Sequence, residues 1–284
     1  MGREAGSEIS IKYLVLSIMG NKEIKISVIV LTKNEEEVIV DCLESVMWAD
    51  EILIVDDHST DRTIELAERF GIKKIIIAPV ASTFSDRRNL GAKSAGGEWL
   101  LYVDADERVT ERLKNEIISV ISNFKFQISN CVAYAIPREN IRLTKPLHYG
   151  GWWPDYVLRL MKKDKLIKWV GDLHEQPKIS GDVGKLESPF IHFSHRGSLE
   201  HKVATTNKWS NIEADKMFNA NHPKMNISRF ISAIGREFYK RFFVYQGFRD
   251  GLEGLLEIRY QIFSIFISYA KLWEIQLKQN NKNK

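Results

Sequence analysis

Four short runs of uninterrupted apolar residues, each followed by a window of helical character, constrain this chain more than any other feature. "ISVIVLT" (26–32) precedes a polar helix over 34–47, "EILIVDD" (51–57) precedes one over 61–70, "KKIIIAPV" (73–80) one over 84–96, and "EWLLYVD" (98–104) one over 110–123. Strands that face water on one side alternate apolar with polar residues. Runs without that alternation are buried on both faces, as in a mostly parallel sheet covered by helices. Such sheets bind ligands beyond the carboxyl ends of their strands, so the chemistry is expected where these runs stop.

Polar groups gather at those ends. The first strand stops at Thr32, Lys33, Asn34 and Glu35, the second at Asp56, Asp57, His58 and Ser59, and the fourth at Asp104, Ala105 and Asp106. Residues i and i+2 of a strand share a face, so Asp104 and Asp106 project together. Carboxylates set so close repel unless a cation compensates. Mg²⁺ or Mn²⁺ would do so and leave coordination positions for a diphosphate. The competing reading is a solvated acidic turn ahead of the helix at 110, where Asp and Glu are common. In "VDDHSTDRT", Ser59, Thr60 or Asp61 suffices to cap the helix near Arg62. Asp56 and Asp57 are then left to accept hydrogen bonds from a nucleobase imide or ribose hydroxyls. "SDRRNLGAKSAGG" adds Arg87, Arg88 and Asn89 as partners for base or phosphate, with an exposed helix start as the alternative.

After residue 130 the rhythm changes. "VAYAIPRENI", a loop "YGGWWPD" and "YVLRLMKK" read as added strands and loops, and the chain from about 198 onward reads as helical. The expected organisation is a poorly ordered N-terminal extension (1–24, with Met19 as a plausible true start), an α/β domain (25–200) and a helical C-terminal region (201–284). At 284 residues, 44% hydrophobic and 27% charged, the composition excludes a disordered chain. The net charge of +4 is too small to indicate nucleic acid. Cys42 and Cys131 form no C-x-x-C pair, which argues against zinc and disulfide frameworks and suits a reducing compartment.

Taken in order, "VIVLTKNEEE", "ILIVDDHSTDRT", "RRNLGAKSAGGEWLLYVDADE" and "LHEQP" resemble the family 2 glycosyltransferases, over about residues 26 to 200. The resemblance implies the GT-A fold, a Rossmann-like mostly parallel sheet flanked by helices, here with a C-terminal helical extension. It also implies a nucleotide diphosphate sugar as donor and inversion at the anomeric carbon. Asp57, helped by the loop of Thr32, Asn34 and Glu35 and by Arg88, would hold the base, usually uracil. Asp104 would lie by the ribose and the metal, and Asp106 would ligate the Mg²⁺ or Mn²⁺ that bridges the diphosphate. Many members place the catalytic base in a Glu-Asp pair; this chain has "WVGDLHEQP" instead, which resembles the subgroup of lipopolysaccharide-core glucosyltransferases. Glu175 is the expected base, with His174 a neighbour or a diphosphate contact. The "QxxRW" signature of processive synthases is missing, so one sugar per encounter is expected. Trp153 and Asp155, in "GGWWPDYVLRL", are candidate acceptor contacts, or residues of a lid over the core.

Between Arg229 and Arg249 five basic residues stand against the single acid Glu237, interleaved with aromatic residues. The longest uncharged stretch beyond them, Tyr260–Ala270, falls well short of the roughly 20 residues that span a bilayer. A helix of this kind lies at a membrane interface, packs on its own domain, or pairs with a second copy in a homodimer. The expectation is therefore a cytoplasmic enzyme, peripheral at the inner face of the cell membrane, that adds a sugar from UDP-glucose or a similar donor to an envelope glycan or glycolipid such as lipopolysaccharide core. A glycosyltransferase for another polysaccharide or glycoprotein, and a non-catalytic sugar-nucleotide or membrane-docking module, are the alternatives. A nucleotidyltransferase is disfavoured, since "TKNEEE" after the first strand would repel a triphosphate.

Overall fold

The computed structural model describes residues 26–122, 131–142, 145–171, 175–194 and 199–282. The expected extension over 1–24 and His174 lie outside them. The first strand, β1 (Ile26–Thr32), is buried along its whole length. It pairs in parallel with β2 (Glu51–Asp56) on one side and β4 (Trp99–Asp104) on the other, and β3 (Lys74–Ile77) continues the parallel set beyond β2. The rest of the sheet comprises β5 (Glu107–Val109), β6 (Ala133–Arg142), β7 (Lys145–Pro146), β8 (Asp155–Lys162), β11 (Val183–Lys185) and β12 (Phe190–Phe193); its main path runs β3-β2-β1-β4-β8-β6-β12-β5, and β7 and β11 each pair with β6 beside that path. β8 runs antiparallel to β4 and β6, and β12 antiparallel to β5, so the sheet is mixed beyond the parallel core. A separate two-stranded ribbon joins β9 (Leu166–Val170) and β10 (Gln176–Ile179).

Both faces are covered, which is why the strand sequences do not alternate. Val28 and Val30 pack with Ile39, Leu43 and Val46 of α1 (Ile39–Val46) and with Leu113, Ile117 and Ile121 of α4 (Glu111–Ile121). Ile29 and Leu31 face the opposite layer with Leu53, Val55, Tyr102, Met161 and Trp169. α2 (Thr63–Arg69) flanks the sheet on the first side and α3 (Phe84–Ser94) on the second. α3 carries few apolar residues, but Thr83 and Asp86 close a capping box at its start. Gly91 lets α3 approach β1 so closely that a Cβ there would stand 2.5 Å from Ile29 Cγ2.

Two details depart from the sequence expectation. The first helix begins at Ile39 rather than 34, because Asn34 takes the left-handed backbone (φ 56°) and the chain turns before it winds. The acidic turn after β4 does not lead straight into a helix: residues 107–109 form β5, which β12 pairs from far along the chain.

The C-terminal part is helical, as α5 (Leu199–Asn219), α6 (Ile227–Tyr239) with a π-helical turn over 240–244, and α7 (Gly251–Lys282). It is tied to the "YGGWW" loop. The Asp250 carboxylate accepts the Tyr149 N–H at 2.8 Å, and Arg241 donates to the Gly150 carbonyl at 2.9 Å.

Candidate active site

The carboxyl ends of β1, β2 and β4 open into a cleft of about 440 Å³ lined by Thr32, Lys33, Glu35, Asp57, Arg87, Asp104, Asp106 and, from α5, Lys208 and Trp209. Its wall is built by stitching two loops together. Thr32 Oγ1 donates to Asp56 Oδ1 at 2.9 Å, and Ser59 donates to Asp56 through both its N–H and its hydroxyl. Asn34 receives the Thr60 N–H on its side-chain oxygen at 2.7 Å. Asp56 is therefore a buried brace. Thr32 and Asn34 use their side chains to shape the loop, and Asp57, next in the chain, turns into the cleft.

Asp57 is flanked by Lys33 Nζ at 2.7 Å and Arg87 at 3.1 Å, and the Arg87 guanidinium lies over the Phe84 ring. Arg88, expected beside Asp57, is instead almost fully buried beneath the cleft. Its NH2 donates to Asp104 Oδ1 at 2.9 Å and its Nε to Glu175 Oε1 at 3.0 Å, with the Trp169 ring 4.9 Å away. Successive helix residues point about 100° apart, so of two adjacent arginines one reaches each site. Arg87 has the position by Asp57 that the sequence reading gave to Arg88.

Asp104 also takes a 2.5 Å ion pair from Arg159. Burial alone would raise the pKa of this carboxyl, but Arg159, then Arg88 and Arg138, outweigh it and hold it well below the usual carboxylate range. Glu107 beneath it is fully buried and accepts the Asp104 N–H at 3.0 Å; burial first, then the Asp104 charge, push its pKa upward. Of the acids in "DADE", Asp104 is the fixed anion and Glu107 its support.

Asp106 faces His192, with Oδ2 3.3 Å from Nε2. Nothing in the sequence reading marked His192, which arrives through the pairing of β12 with β5. The two side chains, 30% and 13% exposed, set one oxygen and one nitrogen donor side by side, with Asp106 lining the cleft. That set fits a divalent cation such as Mg²⁺ or, given the imidazole, Mn²⁺. Among the described residues no cluster of three or more His, Cys, Asp and Glu side chains is arranged to hold a metal. A cation on Asp106 and His192 would keep most of its coordination positions for phosphate oxygens and water.

On the far side of Asp104 lies a second cavity of about 290 Å³, lined by Arg138, Tyr156, Arg159, Trp169, Glu175 and Pro177. Asp104 is the residue the two cavities share. Glu175 reaches this position because Asn89 of α3 exchanges two hydrogen bonds with the Trp169 backbone, at 3.0 and 2.8 Å, which docks the β9–β10 ribbon against the helix. Asp155 does not line either cavity; it pairs with Arg138 at 2.7 Å and receives Asn140 at 3.2 Å. Trp153 stacks on His148 with ring centroids 5.8 Å apart, outside both cavities.

The family model "Glycosyl transferase family 2" matches residues 27–175, just over half of the chain. An "uncharacterized glycosyltransferase" of Rickettsia typhi is 26% identical over 274 residues, spanning 90% of this chain and 89% of the relative. The lipopolysaccharide core biosynthesis glycosyltransferase LpsC of Rhizobium meliloti is 23% identical over 265 residues, spanning 89% and 93%. Among solved structures, S. aureus TarS 1-349 in complex with UDP-GlcNAc aligns with a TM-score of 0.46 and 18% identity, over 85% of this chain and 79% of that one.

Proposed function

The chain belongs to glycosyl transferase family 2, and from that premise we propose that it moves one sugar from a UDP-sugar, such as UDP-glucose, to an envelope glycan or glycolipid such as lipopolysaccharide core. The observation that carries the reading is the pair of cavities meeting at Asp104: one lined by acids and bases suited to a nucleotide diphosphate, the other presenting a carboxylate where an acceptor hydroxyl would stand.

In this reading Asp57 accepts the imide N–H of uracil. Arg87 and Lys33 orient Asp57 through their ion pairs with its carboxylate. Asp104, pinned by Arg88 and Arg159, accepts from sugar or ribose hydroxyls without taking up a proton. Asp106 and His192 would hold Mg²⁺ or Mn²⁺, whose charge when bound would offset that of the leaving diphosphate. The acceptor oxygen attacks the anomeric carbon from the Glu175 side as the bond to the phosphate oxygen breaks. Glu175 takes the hydroxyl proton, and the electron pair of the broken bond leaves on UDP. Arg88, which donates to both Glu175 and Asp104, fixes the separation between base and sugar site.

The core-glycan acceptor is favoured by the near full-length likeness to LpsC. Within the chain, residues 25–200 form the catalytic body and 201–284 a docking region. α6 and its π-helical turn expose Ile231, Tyr239, Phe243 and Val244 beside Arg236 and Lys240, a mixture suited to an anionic membrane surface. Among the described residues no helix is long and apolar enough to cross a membrane. The enzyme would act at the cytoplasmic face, where its lipid-linked acceptor is made.

The test is transfer from UDP-sugars to isolated core oligosaccharide, followed by mass and by the anomeric NMR signal of the product. Glu175→Gln is expected to bind donor normally and lose at least about 100-fold in transfer, in line with removal of a general base. Transfer at the normal rate in that variant places the base elsewhere.

A further inference from the structure

His192 does not stand alone behind Asp106. Its Nδ1 lies 2.6 Å from Asn140 Oδ1. Which way the Asn140 amide points is fixed by its other neighbours: Nδ2 lies 3.3 Å from the Trp152 carbonyl oxygen and 3.2 Å from Asp155 Oδ2, and both of these only accept. Asp155 is held in turn by two hydrogen bonds from Arg138, at 3.0 and 2.7 Å. Asn140 is 2% exposed, so water cannot substitute for any of these partners.

The consequence follows from donor and acceptor roles. With its nitrogen turned to two acceptors, Asn140 presents only oxygen to His192, and that oxygen requires a proton on Nδ1. A neutral imidazole carries one N–H, so Nε2 is left with its lone pair, 3.3 Å from the Asp106 carboxylate. Two lone-pair groups facing each other at that distance repel unless a proton or a cation lies between them. The relay thus maintains a cation-seeking pair.

We propose that Asn140 and Asp155 are positioning residues that lock the His192 ring in its Nδ1–H tautomer, so that Nε2 and Asp106 together accept the divalent cation. The proposal rests on the metal reading given above. Neither residue touches the donor cleft; both act through His192, as hydrogen-bonded outer groups commonly do for a metal-binding imidazole.

Two measurements test it. In metal-free, ¹⁵N-labelled wild-type protein at a pH where the imidazole is neutral, long-range ¹H–¹⁵N correlation is expected to show His192 protonated on Nδ1. Protonation on Nε2 overturns the proposal without any variant being made. In the second, Mn²⁺ is titrated with saturating UDP and free Mn²⁺ is read by electron paramagnetic resonance. Asn140→Leu, which removes the acceptor, is expected to weaken Mn²⁺ by about 10- to 100-fold. The exchanged pair Asn140→Asp with Asp155→Asn restores an acceptor opposite Nδ1 and a donor behind it, and is expected to recover affinity to within about threefold of wild type. A merely structural role predicts no such rescue, and Asn140→Leu binding Mn²⁺ like the wild type refutes the relay. His192→Ala separates the two levels. If it leaves Mn²⁺ affinity unchanged, the metal reading itself falls; if it abolishes binding while Asn140→Leu does not, only the positioning role falls.

Discussion

Removing Arg88 is the sharpest perturbation of the site. Its guanidinium is buried, donates to Asp104 and Glu175 at 2.9 and 3.0 Å, and packs on Trp169 and Tyr102. Arg88→Ala leaves Glu175 without this partner and Asp104 with Arg159 as its remaining close cation. Breaking a buried ion pair typically costs about 3–5 kcal/mol. Because Asp104 keeps Arg159 and is itself 29% exposed, the lower end applies, about 3 kcal/mol. For a chain of this size that lowers Tm by about 5 °C. The loss also has a pH signature. Asp104 has its pKa depressed in the folded state, so its contribution is fully present above the unfolded carboxylate value of about 4 and declines at lower pH. In the variant the depression is smaller and less is lost on acidification. The stability gap between the two proteins is therefore widest near neutrality and narrows below about pH 4. Denaturant melts of both proteins from pH 7 to pH 3 measure this. A loss under about 1 kcal/mol at pH 7, or a gap that widens in acid, refutes the ion-pair account.

Other outcomes follow from the packing and the surface. Gly91→Ala is expected to cost about 1–3 kcal/mol in denaturant unfolding, because the new methyl group meets Ile29 in the packed layer between α3 and β1. Combining Ile231→Ser, Phe243→Ser and Val244→Ser, at side chains 62%, 55% and 56% exposed, is expected to weaken sedimentation with anionic vesicles by at least about tenfold while donor binding is unchanged. Equal sedimentation of variant and wild type refutes docking through this surface. If the wild type is a dimer in solution and the variant a monomer, the surface joins two copies instead.

The strand ends were legible because the physics that marks them is local. Apolar runs stop where the sheet stops, and Asp57, Asp104 and Asp106 stand at those stops. The choice between Arg87 and Arg88 was not legible. α3 is polar around most of its circumference, so no hydrophobic stripe fixed its phase, and a rotation of about 100° decides which arginine meets Asp57. His192 and Asn140 were hidden for another reason. His192 reaches Asp106 through the pairing of β12 with β5, and Asn140 reaches His192 through the pairing of β12 with β6, between segments far apart in the chain, and a histidine inside "FIHF" resembles any half-buried strand residue. The loop roles of Thr32 and Asn34 are ambiguous in the sequence because a hydroxyl or amide at a strand end serves a ligand or the neighbouring backbone equally well. In the fold, those side chains turn toward Asp56 and Thr60.

The cleft at the strand ends is expected to hold a nucleotide diphosphate through Asp57 on one side and a cation on Asp106 and His192 on the other. Calorimetric titration with UDP, GDP and their common sugar conjugates, each with and without Mn²⁺, addresses it most directly. The account predicts tight, Mn²⁺-dependent binding of UDP and a UDP-sugar, weak binding of GDP, and loss of the Mn²⁺ dependence in Asp106→Ala. Binding that ignores both the metal and the base, or no binding of any nucleotide, would contradict it and leave the acidic strand ends as solvated turns.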